Sequence, residues 1–219
     1  MYDNRRLASG IGVLFVLWTL VGLLVVSSGV GGSIPLTGTG GFNVSASYFG
    51  ASESESVPAT TSNGAPAAQF EVATTVAEDL EVEKTLGLES MPGVQGDLRL
   101  VITADRATLN SVMFKTDDLR AGTAIWRGFV LDERNTDSRF TEFVAYAGPN
   151  PQSAVNTGTQ FAIDGSDPGA TDRSESPAFQ LYNAEFKMST LTADQVTLQN
   201  LGLIVQYDPD DDGTYEYGS

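Results

Sequence analysis

Pairs of apolar residues, the two members of each pair separated by one residue, recur at five-residue intervals in three runs between Ile102 and Leu203. One run consists of Ile102/Ala104, Ala107/Leu109 and Val112/Phe114, and the next consists of Leu119/Ala121, Ala124/Trp126 and Phe129/Leu131. A third run consists of Leu191/Ala193, Val196/Leu198 and Leu201/Leu203. An i, i+2 spacing places both side chains on one face of a strand, whereas the same set of positions would be spread around a helix. The sequence therefore predicts an all-β body.

Two all-β architectures are compatible with this rhythm. In a β-solenoid each apolar pair is a very short strand, and polar residues such as Asp105-Arg106 form the corner before the next strand. An antiparallel β-sandwich is the alternative. Residues 132–177 favour the sandwich, because their aromatic residues do not follow the rhythm and turn-forming residues are frequent there. We predict a β-solenoid-like domain, with the antiparallel β-sandwich as the alternative.

The N-terminal segment predicts a membrane span. No charged residue lies between Arg6 and Glu53, and Ile11–Val26 (IGVLFVLWTLVGLLVV) is almost wholly apolar. With its flanks this stretch reaches the ~20 residues that a helix needs to cross the hydrocarbon layer. Because Arg5 and Arg6 precede it, the positive-inside rule places the N-terminus in the cytoplasm and the body outside. A signal peptide cleaved near Ser28 is the alternative.

These features divide the chain into four parts. We predict a cytoplasmic tip at 1–6, one transmembrane helix at 7–30, a stalk at 31–66 and an acidic β-rich extracellular domain at 67–219. The stalk is rich in Gly, Ser and Thr, which is typical of flexible linkers. Within it, Phe42–Phe49 (FNVSASYF) is predicted to be an isolated strand.

The charge balance and two missing residue types exclude several functions. The net charge is −16, with 28 acidic and 12 basic residues, so the chain repels nucleic-acid phosphates and no nucleic acid is expected as a partner. Only three of the cations are lysines, and this acidic, lysine-poor composition resembles that of proteins from salt-in halophiles. The chain has no cysteine and no histidine. Disulfides, an imidazole general base and the usual zinc sites are therefore excluded.

An acidic loop near the C-terminus resembles the first half of a calcium-binding loop. Asp208, Asp210 and Asp212 alternate along the chain and are followed by Gly213, which gives the pattern D-x-D-x-D-G. Alternate carboxylates converge on a hard cation, and the carbonyl of Thr214 would supply a further oxygen ligand. The loop lacks the bidentate Glu that ends a full calcium loop, so a truncated Ca²⁺ site and a solvated acidic tail remain alternatives.

A glycosylation sequon and two acidic pairs are the other candidate sites. Asn43-Val44-Ser45 fits N-x-S on the side of the membrane where a glycan would be added. Asp117-Asp118 and Asp132-Glu133 are paired carboxylates of the kind that a carboxylate-based hydrolase uses. Hydrolysis of a sugar, however, needs two carboxyls that face each other, and adjacent residues of a strand point to opposite faces. We therefore predict no catalytic residues and no enzyme.

Three segments resemble an uncharacterised family of exported proteins of haloarchaea and actinobacteria that carry one N-terminal hydrophobic segment. They are FNVSASYF, then LRLVITADRATLNSVMFKTDDL, and finally FQLYNAEFKMSTLTADQVTLQNLGLIV. The resemblance implies export and N-terminal anchoring. It implies no activity and no functional residues.

Together these features predict a structural or assembly protein. We expect it to be anchored in the envelope of a halophilic cell or in the membrane of a virion, with the lipid bilayer and either further copies or other envelope proteins as partners. The first alternative is a glycan- or lipid-binding surface module with a weak calcium site, and the second is a carboxylate-based hydrolase.

Overall fold

The structure is a computed structural model that describes residues 41–61, 63–88, 95–137, 140–149, 171–210 and 212–215. The described residues form eleven strands and one turn of 3-10 helix at Arg173–Glu175. The first strands are β1 (Phe42–Ala51), β2 (Ser54–Thr60), β3 (Pro66–Val72), β4 (Thr75–Gly87), β5 (Asp97–Asn110) and β6 (Val112–Trp126). The remaining strands are β7 (Phe129–Asp137), β8 (Phe140–Ala147), β9 (Phe179–Thr192), β10 (Gln195–Gln199) and β11 (Gly202–Asp208).

All eleven strands belong to one open antiparallel sheet. Its order is β10-β5-β4-β1-β9-β6-β3-β2-β8-β7, and β11 also pairs with β5, beyond the end of β10. The all-β prediction is confirmed. The β-solenoid prediction is wrong, because a solenoid stacks short parallel strands, whereas β4, β5, β6 and β9 are 13 to 15 residues long and every ladder is antiparallel. The antiparallel sheet is consistent with a β-sandwich-like domain.

A line of kinks, each a one-residue shift in the alternation of core and outward side chains, crosses the five adjacent strands β5, β4, β1, β9 and β6. It consists of Asp105, Asp79, Ser47, Asn183 and Gly122, which follow one another across the sheet by the strand register. Asp79 and Asn183 have a φ of +50°, in the left-handed region that Asn and Asp tolerate better than most residues. The Ser47 hydroxyl donates a hydrogen bond of 2.6 Å to the Asp79 carboxylate, which joins two of the kinked strands. We call these five residues the kink line.

The kink line explains part of the five-residue rhythm of the sequence. Ordinary alternation brings every second residue to the core face of a strand. On β1 the core residues are Phe42, Val44 and Ala46 before the kink, but the next one is Phe49, three residues later. On β9 they are likewise Leu181 and then Ala184. An interval of two followed by an interval of three gives the five-residue period. Asp105, assigned to a solenoid corner, lies instead at a kink within the continuous strand β5, whereas other breaks in the rhythm, such as Ser111 and residues 193–194, fall in links between strands. The rhythm therefore reflects both kinks and links.

Four short links carry the chain from one part of the sheet to another. Residues 52–53 join β1 to β2, residues 73–74 join β3 to β4, Ser111 joins β5 to β6, and residues 193–194 join β9 to β10. Two of these links are hydrogen-bonded to each other, because the Ser52 amide donates to the Thr74 carbonyl at 3.3 Å and the Ala73 amide donates to the Glu53 carbonyl at 3.1 Å. The strands that a link joins are not neighbours in the sheet, so distant segments of sequence converge on one core.

Phenylalanine rings form the centre of that core. Phe114 and Phe179 are fully buried, and Phe49 makes edge contacts with both at centroid distances of 6.3 and 6.1 Å. Phe70 stacks on Phe114 at 4.9 Å, and Phe186 meets Phe114 edge-on at 5.5 Å. Such ring pairs contribute about 0.5–1.5 kcal/mol each beyond the area that they bury.

The structure moves the start of the β domain from Ala67 to Phe42. Residues 42–60, assigned from the sequence to a stalk with one isolated strand, form β1 and β2, and β1 lies between β4 and β9 inside the sheet. The predicted membrane span at 7–30 lies outside the described residues. Within the described part of the chain, no helix has the length and apolar character needed to cross a bilayer.

Candidate functional site

The acidic loop begins at the last residue of β11. Asp208 is paired with Asp97 of β5, and its side chain is buried. Its carboxylate accepts hydrogen bonds from the amide of Gly213 at 2.8 Å and from the amide of Asp210 at 3.3 Å. Gly213 has a φ of +84°, which a residue with a side chain would adopt only with strain. Buried Asp208 therefore folds the loop back on itself.

The loop gathers the three predicted carboxylates. Oxygen atoms of Asp208, Asp210 and Asp212 all lie within 4.8 Å of one another. The nearby Asp212 carboxylate is the main cause of a raised pKa at Asp210, with smaller contributions from burial and from Asp208. The amide of Thr214, the fourth predicted ligand, donates to Asp212 at 2.7 Å. Three converging carboxylates are a donor set suited to a hard cation such as Ca²⁺, and binding of the ion stays a prediction.

The sequon asparagine lies on the exposed face of a strand in the middle of the sheet. The backbone of Asn43 pairs with Glu83 on one side and with Lys187 on the other, while its side chain is exposed. It opens onto a shallow groove of about 380 Å³ whose charged lining residues are Glu81, Glu83, Asp118, Arg120, Glu185 and Lys187. The groove leaves room beside Asn43 for a sugar, and glycosylation there stays a prediction.

The paired carboxylates at 117 and 118 face separate cations. Asp118 forms an ion pair with Arg120 at 2.8 Å, and Asp117 lies 3.9 Å from Lys187. The register of β6 shifts at this point, between Thr116 and Asp118. Each carboxylate of this pair thus has a cation beside it rather than the other carboxylate across a cleft. Of the second pair, Asp132 is half-buried on β7.

An arginine–tyrosine cluster that the sequence did not predict fastens the segment 171–175 to the sheet. The Arg173 guanidinium lies 4.7 Å from the ring of Tyr48 and 5.5 Å from that of Tyr182, and it pairs with Glu78 at 3.0 Å. The Tyr48 hydroxyl donates to the Thr171 carbonyl at 3.1 Å. Burial, with the neighbouring Tyr182 as the next cause, raises the pKa of Tyr48 to about 12. The one signal of this cluster in the sequence is that Tyr48 and Tyr182 fall between the core positions of their strands rather than on them.

Both ends of the open sheet carry exposed apolar side chains. At one end, β10 and β11 pair with β5 alone among the described strands, and Leu201, Leu203 and Ile204 are 47, 43 and 38% exposed. At the other end, β7 pairs with β8 alone among the described strands, and Phe129 and Leu131 are 51 and 56% exposed. An edge strand presents unpaired backbone amides and carbonyls, and it can add a strand from another chain.

Comparison of the chain with models of protein families, with characterised proteins and with solved structures finds no match.

Proposed function

We propose that this chain is a membrane-anchored structural protein whose β domain assembles, through the edges of its sheet, with further copies on the outside of a halophilic cell envelope or of a membrane-containing virion. The observation that carries the proposal is the open sheet with large apolar side chains exposed at both edges. Soluble proteins normally protect edge strands, because exposed apolar edges promote association.

The anchor and the composition support the same role. The apolar segment at 7–30, preceded by Arg5 and Arg6, would hold every copy in one membrane with its β domain on one side, which raises the effective concentration of the edges. A net charge of −16 keeps copies apart by repulsion at low ionic strength, and salt screens that repulsion. Assembly in a salt-rich medium therefore suits this charge.

The test is crosslinking of the full chain in the membrane that carries it. Because the sequence has 28 acidic residues but only three lysines, a carboxyl-directed reagent is the appropriate crosslinker. We expect a series of oligomers at high salt that weakens as the salt is diluted. Protease added to intact cells should also cleave the β domain. Only monomers at every salt concentration, or a β domain untouched by the protease, would refute the proposal.

A matched variant shows whether the oligomers form through the edges of the sheet. Ile204→Lys combined with Leu131→Lys places a charge at both edges without removing a buried side chain, since Ile204 and Leu131 are 38 and 56% exposed. The double variant should stay monomeric while its β-sheet circular dichroism remains that of the wild type. An oligomer series equal to that of the wild type would show that the edges are not used.

A further inference from the structure

We infer that the edge formed by β10 and β11 is a site of self-association, where β11 of one copy pairs antiparallel with β11 of a second copy across a twofold axis. This inference rests on the proposed function and names its partner and geometry. β11 pairs with β5 on one side, and a second β11 would complete the other.

The absence of charge along this edge is the first argument. No charged residue lies between Asp194 and Asp208, an interval that includes all of β10 and β11 before its last residue. Edge strands that must stay unpaired usually carry proline or a charged residue, lysine in particular. Neither proline nor a charged residue occurs in that interval. β7, at the opposite end of the sheet, contains Asp132, Glu133 and Arg134.

The overall charge selects a second copy as the occupant. Two chains with a net charge of −16 repel each other wherever their acidic surfaces face, so the least costly contact lies where both are uncharged. A basic partner would find no carboxylate to pair with between Gln195 and Tyr207. The edge is also its own complement, because an antiparallel strand offers the same donors and acceptors to its twofold mate.

The exposed side chains fit such a pair. Leu203 and Ile204 are consecutive, so they project from opposite faces of β11, and both are exposed. When Ile204 faces its own copy across the pair, Leu203 faces Val205, so each meets an apolar residue of the other copy on its own face of the sheet. Such cross-strand pairs contribute about 0.2–1 kcal/mol each. Apolar area that now faces water on both faces would then be buried.

The twofold axis makes a specific prediction about distances. An antiparallel pair within one sheet is related by an axis perpendicular to the sheet, which keeps each side chain on its own face. Because paired residues share a face, one residue must face its own copy, and the axis passes midway between the two copies of that residue, whose Cβ atoms are about 4.5–5.5 Å apart. A single cysteine at that residue can therefore form an intermolecular disulfide with itself.

The natural absence of cysteine makes the experiment direct. Full-length variants with one cysteine at Leu203, Ile204, Val205 or Gln206 are oxidised in the membrane, with Leu131→Cys on β7 as the matched control. We expect a covalent dimer from at least one of the β11 variants and none from Leu131→Cys. Two outcomes would overturn the inference in favour of the β7 edge. One is a dimer of Leu131→Cys with none from any β11 variant. The other is a dimer that forms only when Leu131→Cys and Ile204→Cys are mixed.

A charge substitution separates this inference from the proposal on which it rests. Ile204→Lys added to the β11 cysteine variant that dimerises should reduce its disulfide dimer about tenfold or more, because two lysines would face each other across the pair, whereas Leu131→Lys should leave that disulfide dimer unchanged. If Ile204→Lys gives the same carboxyl-crosslinked oligomer series as the wild type, the inference fails and the proposed function stands. If the wild type itself yields no oligomer, both fail.

Discussion

Replacement of Asn183 by valine tests the kink line, on which the explanation of the fold depends. Asn183 is exposed on β9 and has a φ of +50°, so its substitution changes backbone strain more than burial. The left-handed conformation costs an L-residue about 1–2 kcal/mol, and a β-branched residue tolerates it least. Because Asn already carries part of that strain, we expect Asn183→Val to lower the free energy of unfolding by about 1 kcal/mol relative to wild type.

The chain offers a control with the same chemical change. Asn43 is also an exposed asparagine, it lies on the neighbouring strand β1, and its φ is not positive. Asn43→Val should change the free energy of unfolding by no more than about 0.5 kcal/mol, as is usual for exposed positions. Asn183→Gly removes the strained Cβ and should be at least as stable as Asn183→Val.

The assay is denaturant unfolding of the full chain in detergent, monitored by circular dichroism. The protein is produced in a host that adds no N-glycan. For a protein of this size a loss of 1 kcal/mol shifts Tm by roughly 2–4 °C, so thermal unfolding should rank the three variants in the same order. If Asn183→Val loses no more stability than Asn43→Val, residue 183 is not in the left-handed region. The kink line would then not explain the five-residue rhythm.

Three further predictions concern the core, a buried tyrosine and the acidic loop. Phe114→Ala should lower the free energy of unfolding by about 3–5 kcal/mol in denaturant titrations, whereas Phe129→Ala, which truncates a 51% exposed ring, should cost far less; equal losses would contradict the assignment of the core. Because the pKa of Tyr48 is raised from 10.0 to about 12, the unfolded chain loses this proton first, so the contribution of Tyr48 to stability should be constant below pH 10 and should be lost as the pH rises from 10 through about 12. Tyr48→Phe should reduce the loss of unfolding free energy between pH 10 and about 12, measured by denaturant unfolding at each pH. An unchanged dependence of the unfolding free energy on pH would rule out Tyr48 as its cause. Calcium should raise the Tm of the wild type more than that of Asp210→Asn or Asp212→Asn, with magnesium as the comparison ion, and equal shifts would exclude the loop as a calcium site.

The sequence identified part of the core but not the connections within it. Ala107, Leu109, Val112 and Phe114 belong to the five-residue rhythm, and all four are buried. The architecture was wrong because a corner between short strands and a kink within a long strand shift the apolar phase in the same way. Local spacing contains no information that separates the two, since the pairing that decides between them joins residues far apart in the chain.

Other features depend on pairing that sequence reasoning does not supply. FNVSASYF was correctly predicted to be a strand but was placed in a stalk, because its partners β4 and β9 lie far along the chain. Leu201 and Leu203 follow the rhythm of core residues and yet are exposed, because Leu201 lies in the link between β10 and β11 and Leu203 lies on the edge strand β11. The acidic loop was easier to predict, since its three aspartates lie within five residues and need only local folding to converge.

Amide hydrogen exchange of β11 in the native membrane tests the assembly most directly. Pairing of two β11 strands would place the outward-facing amides of residues 202–206 in hydrogen bonds between copies. We predict that these amides exchange slowly in the membrane at high salt and quickly once the full chain is dispersed as monomers in detergent, while the amides of β1 stay protected in both states. Equally fast exchange of these outward-facing amides in both states, with the membrane sample shown by crosslinking to be oligomeric, would contradict the account.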